Sequence, residues 1–361
     1  MSNQSQFSFR NTAVVSPGEE SQNGEVLLIC SASFENRCFY VANQLTSDYK
    51  ADLVLLCIFR GDYELKSMHE ENLVQLMSRT NLHAKSSESQ TLKTYDARGT
   101  INELNRHLAD IAANHTITQV DFDVTTFTKQ YILVLLNLLD LHFSSACIRI
   151  LYTPASQYGS PKHRRSLSKH VRGIVAVPGF DMFRDSTDIS WNLVAFLGFE
   201  EERVLKLLDA LSPKCCIPVL QLRRNTHFGS RVPFDTNRRL LQIIRSRFGQ
   251  EPQYIDAENP ISTATFLHDV YKRTSEQGYS LLIAPHGSKM QAVGTYLFYR
   301  ETNDPLSIGI IYALPQRYDR RQYSGDPIGY IAEFTWHAKA RRRSIDTPIP
   351  QHGADPAIVL V

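Results

Sequence analysis

Cysteine is sparse in this chain and never paired. Six cysteines stand among 361 residues, and none belongs to a C-x-x-C. The missing pairs exclude the usual structural zinc spacings. Cys30, Cys57 and Cys147 lie in or beside apolar runs, where a free thiol acts as a small core residue. Cys38, Cys215 and Cys216 complete the set, and reduced thiols fit a cytoplasmic protein. An excess of one charge is also missing. With 39 Lys and Arg against 37 Asp and Glu, the formal net charge is +2, which neither demands nor excludes nucleic acid. Long hydrophobic runs are absent. The longest, YILVLLNLLDLHF from Tyr131 to Phe143, is too short for a bilayer and contains Asn137 and Asp140. It predicts a buried helix, and no membrane association is expected. The segment before Glu25 has no apolar stretch of signal-peptide length and is expected to be a flexible polar tail over residues 1–24. Finally, the chain contains no H-E-x-x-H, G-x-S-x-G or G-x-x-x-x-G-K-[ST]. No catalytic set and no cofactor follow from it, and a non-enzymatic role is expected.

What is present is an ordinary globular balance, 42% apolar and 21% charged, in a chain long enough for two domains. VLLIC at Val26–Cys30 and DLVLLCIF at Asp52–Phe59 are apolar runs without helical period and predict buried strands. Helices are predicted after Arg37, over Glu64 to Arg79, and over Ile101 to Ala113, with a weakly patterned region before the last. Strands follow at Gln119–Val124 and Ile148–Tyr152, on either side of the Tyr131 helix. A polar, basic stretch from Ala155 to Arg172 reads as a linker, and Ile174–Val177 as a short strand. The alternation then restarts: strand Asn192–Leu197, helix, strand Cys215–Leu222, helix Thr236–Phe248, strand Tyr254–Asp256, helix Thr263–Thr274, strand Tyr279–Ala284, helix to Tyr299, strand Ser307–Leu314. Strands alternating with helices predict an α/β fold with parallel crossovers.

The restart has the character of a repeat. Lys129 and Lys289 stand 160 positions apart, and at the same offset Ile148 matches Ile308, Ile150 matches Ile310, Tyr152 matches Tyr312 and Tyr158 matches Tyr318. SFENR at Ser33–Arg37 is similar to GFEEER at Gly198–Arg203. The expected architecture is two tandem Rossmann-like units with mostly parallel sheets, over residues 25–172 and 173–335. An internal pseudo-twofold duplication would relate them, and a basic, Pro-containing tail would follow at 336–361.

Ligands of open α/β sheets bind outside the carboxyl ends of the strands. The candidate loops are therefore Ser31–Arg37, Asp123–Lys129, Gly198–Arg203 and Pro285–Lys289. In the last, Gly287 permits close approach, Ser288 caps a helix and offers a hydroxyl to a ligand, the helix start favours an anion, and Lys289 adds positive charge. His286 beside them is a candidate ligand contact. In the first half Thr125, Thr126 and Thr128 offer hydroxyls and Lys129 the charge, without a glycine. Arg37 with Glu35, and Arg203 with Glu200, read either as helix-start ion pairs or as phosphate contacts. Basic runs at Lys162–Arg165, Arg317–Arg321 and Arg341–Arg343 read as solvated loops, or as nucleic-acid contacts where Tyr alternates with Arg.

A buried strand ending in Gly287-Ser288-Lys289 and opening a helix resembles the CRISPR-associated Rossmann-fold (CARF) ligand-sensing domains. The tandem arrangement is similar to SAVED domains, which are like two fused units of that kind. The resemblance implies a sensor or scaffold that binds a nucleotide-type phosphate ligand, such as an oligonucleotide second messenger, in prokaryotic antiviral defence. It also implies an effector or complex partner in another chain, since no nuclease motif is visible here. Two other readings stay open: an enzyme acting on a nucleotide or sugar phosphate, and an interaction subunit of a nucleic-acid-associated defence complex.

Overall fold

A computed structural model describes residues 7–61, 66–156, 168–181, 190–222, 231–302, 307–318, 327 and 329–338. In chain order its elements are β1 (Phe7–Thr12), β2 (Glu25–Ala32), α1 (Tyr40–Asn43), β3 (Ala51–Arg60), α2 (Lys66–Thr80), β4 (Ala84–Lys93), α3 (Ala97–Asn114), β5 (Ile117–Asp123), α4 (Lys129–His142) and β6 (Cys147–Tyr152). They continue as β7 (Ser168–Ala176), β8 (Trp191–Phe196), α5 (Glu201–Leu211), β9 (Cys215–Leu222), α6 (Arg231–Thr236), α7 (Arg238–Phe248), β10 (Gln253–Asp256), α8 (Pro260–Glu276), β11 (Ser280–Pro285), α9 (Lys289–Glu301), β12 (Ile308–Tyr318) and β13 (Ile331–His337).

The fold is α/β and Rossmann-like, with two mostly parallel sheets. The first runs β1-β13-β6-β5-β2-β3-β4 and the second β10-β9-β8-β11-β12-β7. Counting from β2 and from β8, both contain the parallel order 3-2-1-4-5, the doubly wound arrangement. Each then gains an antiparallel neighbour on its fifth strand: β13 on β6, and β7 on β12.

Apolar strands explain the inner positions. β2 is buried at every residue but its first, and β3 from Leu53 to Phe59. Such strands are covered on both faces. In the first unit Leu28, Cys30, Val54 and Leu56 point to one face, with Leu76 of α2 in the same core. The alternate residues point to the other face, where Phe59 and Phe122 meet Phe127 and Tyr131 at the start of α4. In the second unit Leu193, Ala195 and Leu220 share a core with Leu207 and Leu208 of α5 and Leu240 and Ile244 of α7. α8 and α9 pack closely on each other. A Cβ at Gly294 would lie 2.6 Å from Thr263 Cβ. α8 starts on the Asn259 side chain, which accepts from the Ile261 N–H, with Pro260 in the first turn. α7 ends at Gly249, which has φ +66°.

Several boundaries differ from those expected. The N-terminal segment is not wholly a tail: β1 pairs antiparallel with β13, and Val15 is fully buried. The weakly patterned region is β4, an outermost strand in which Leu92 is the one buried residue; a strand so placed needs no apolar alternation. Helix Thr236–Phe248 is split at Asn237 into α6 and α7. The limit at 172/173 falls inside β7, and the limit at 335/336 falls inside β13. β13 belongs to the sheet of the first unit, so that unit is built from both ends of the chain. The described parts of the two compact units are residues 7–156 with 327–338, and residues 168–318. Lys162–Arg165, Arg341–Arg343, the C-terminal tail, Tyr158 and most of the Arg317–Tyr323 run lie outside the described residues. Among the described residues, no helix is long and apolar enough to cross a membrane.

Candidate functional site

In each sheet the chain reverses winding direction beside the first strand, between β2 and β5 and between β8 and β11. These are the topological switch points, where loops diverge and leave a crevice at the carboxyl ends of the strands. The four loops singled out in the sequence are the pairs flanking these two points.

In the first unit the crevice loops are heavily cross-tied. Arg37, 1% exposed, holds Glu35 at 2.6 Å through Nη2. Its Nη1 donates to the carbonyl of Thr153 at 2.8 Å, beyond the end of β6. The guanidinium thus joins the loop after β2 to the loop after β6, which favours the ion-pair reading of Arg37. Thr125 does the same for the loop after β5: its N–H donates to Asp123 Oδ1 at 2.9 Å, and its Oγ1 accepts from the Thr153 N–H at 3.0 Å. The Ser31 and Thr126 hydroxyls lie 2.7 Å apart across the switch point, and Thr126 Oγ1 also donates to the Ser31 carbonyl. Both contacts are made together when Ser31 donates to Thr126. Thr128 is the N-cap of α4, accepting from the Tyr131 N–H. Lys129, half-buried, is the first residue of that helix. Burial above all pushes the nearby Cys38 thiol up to about 12, and the Asp123 and Glu35 carboxylates add to the rise. It is no nucleophile at neutral pH.

The second unit is arranged differently. Arg203 Nε meets Glu200 Oε2 at 2.9 Å, and its Nη1 donates to the Tyr312 hydroxyl at 3.3 Å. Its guanidinium carbon lies 5.7 Å from the Tyr312 ring centre. The His286 ring lies 5.0 Å from the same ring. Tyr312 therefore gathers Arg203 and His286, which the sequence placed in separate loops. The sequence reading passed over Tyr312 as a functional residue, although its match to Tyr152 in the repeat marked it. The two loops touch through backbone: a Cβ at Gly198 would stand 2.5 Å from the His286 carbonyl oxygen. That requires glycine, and the Asn237 side chain fixes the loop by donating to the Gly198 carbonyl at 2.8 Å.

Gly287, Ser288 and Lys289 open α9. Ser288 and Gln291 form a complete capping box. The Gln291 N–H donates to Ser288 Oγ at 3.0 Å, and the Ser288 N–H to Gln291 Oε1 at 2.8 Å. The Ser288 hydroxyl proton goes to the Ala257 carbonyl at 2.6 Å. Ser288 has thus spent its proton inside the fold, and its expected role as a hydroxyl donor to a ligand is not available in this arrangement. Gly287 leaves the space that the Gln291 amide fills. Lys289 is half-buried at the first helical position. The N-cap and N3 N–H groups are satisfied by the box, and the positive dipole end of the helix favours an anion.

Among the described residues no group of His, Cys, Asp and Glu is disposed to hold a metal ion. All six cysteines are free, and five are buried. Comparison with protein-family models finds no match for this chain, and comparison with curated proteins finds none either.

Proposed function

We propose that this protein is a ligand-binding sensor or scaffold that takes a nucleotide-type phosphate ligand at its switch-point crevices. One observation carries the reading: the Lys-bearing helix starts and the Arg-bearing loops meet at the switch point of each sheet. The second crevice is the better anion site. It joins a helix start, the charge of Lys289, and an Arg203–Tyr312–His286 wall able to meet phosphate and base or sugar together. Both arginines are ion-paired, Arg37 with Glu35 and Arg203 with Glu200, and in the first crevice Asp123 adds a further carboxylate, so Lys129 supplies weaker anion binding.

The common strand order supports reading the two units as copies of one ancestral unit. It also supports the likeness to CARF and SAVED domains in prokaryotic antiviral defence, with a separate effector chain as partner and a cytoplasmic setting. Calorimetric titration with a panel of cyclic oligoadenylates tests the reading. Lys289→Ala is expected to weaken binding at least about tenfold, the loss of one charge-assisted contact, and Lys129→Ala to weaken it less. Binding that survives the combined Lys129→Ala and Lys289→Ala change would sink the proposed site.

A further inference from the structure

The capping box of α9 contains a donor that the fold leaves unused. Gln291 is 1% exposed. Because its Oε1 accepts from the Ser288 N–H, the orientation of the amide is fixed, and Nε2 is left as a pure donor. Among the described residues that nitrogen has no hydrogen-bond partner. A capping box takes Glu at this position as readily as Gln. Glu would also suit the positive helix end and would leave no donor unmade. The chain instead buries an unsatisfied amide, which native folds seldom accept without a reason.

The place of the amide supplies the reason. It fills the space above Gly287 at the end of β11, beside Phe196 at the end of β8. It therefore stands at the switch point itself, in the first turn of α9 and two residues from Lys289. The acceptor it lacks is what an anionic oxygen provides. We infer that Gln291 Nε2 is a ligand-binding donor that recognises a phosphoryl oxygen at the start of α9. The inference rests on the phosphate-ligand reading above. It names the group that recognises the anion, and it moves that role from Ser288, whose proton is spent, to Gln291. Since the amide is buried, the anion reaches it as the two crevice loops part.

Gln291→Glu is the informative variant, because a carboxylate keeps the capping box while turning the donor into an anionic acceptor. With inorganic pyrophosphate as the titrant, Gln291→Glu is expected to bind at least about tenfold more weakly than wild type at an unchanged or higher melting temperature. Equal affinity in wild type and Gln291→Glu, with loss in Lys289→Ala, would overturn the inference and leave the phosphate reading standing. No pyrophosphate binding by wild type would overturn both. An independent measurement needs no variant. On titrating wild type with pyrophosphate, the assigned side-chain amide of Gln291 is expected to shift in 15N NMR spectra. An unmoved resonance at saturation overturns the inference.

Discussion

At the scale of single residues, the sequence made Glu35 and Arg37 visible as a pair but not as a cross-tie. Their spacing of two brings the charges together locally. The contact to the Thr153 carbonyl spans 116 positions and depends on β2 and β6 ending at the same side of one sheet. Tertiary contacts of this kind have no local signature. The same holds for Tyr312, which meets Arg203 and His286 from a strand of its own. The hydroxyls of the first crevice were legible as residue types, whereas the direction in which each proton points was not. A consequence follows for Arg37. Removing it strands a carboxylate that is 5% exposed. Arg37→Ala is expected to cost about 3–5 kcal/mol in urea unfolding of the full chain. The double change Glu35→Gln with Arg37→Met is expected to recover most of that loss. If Arg37→Ala left stability intact and only weakened ligand binding, the residue would face the ligand instead.

At the scale of elements, the buried strands and apolar helices were legible because burial on both faces leaves continuous apolar runs. β4 was not, because an outermost strand is wetted and its Ser-rich sequence satisfies no apolar period. β1 was masked for the same reason, with four of its six residues exposed. The helix starts were the most legible sites of all, since caps are local: Thr128 and Ser288 both cap as their types predict. Helix packing supplies a prediction of opposite sign to propensity. In an open helix interior, Gly→Ala stabilises by about 1 kcal/mol. At Gly294 a Cβ would meet the Pro260 carbonyl and Thr263 of α8. Gly294→Ala is therefore expected to destabilise by about 1–3 kcal/mol, read as a lower melting temperature. A rise would show that α8 and α9 can move apart at little cost.

At the scale of the whole molecule, the repeat rhythm led to the α/β class, and the structure gives both sheets the same parallel order. The path between the sheets was beyond reach of the sequence. IAEFTWH at Ile331–His337 reads as a strand of any neighbouring sheet, and only register pairs it with β6 and β1. There Phe334 and Trp336 are at most 1% exposed, so β13 carries core for a unit whose other strands all precede the second unit in the chain. A chain truncated after Tyr318 is expected to lose the first unit and keep the second. Limited proteolysis followed by mass spectrometry should find 168–318 protected and 7–156 cut. Protection of both would mean that β13 is dispensable.

This chain path also sets an order of birth. During synthesis the ribosome releases the N-terminal strands first, yet their sheet lacks a member until the last strand emerges. The unit made second has all its described strands as soon as β12 is out. The half that leaves the ribosome first is thus the half completed last. Until then its β6 edge is open to wrong partners, and a stop codon between β12 and β13 damages the first unit rather than the second.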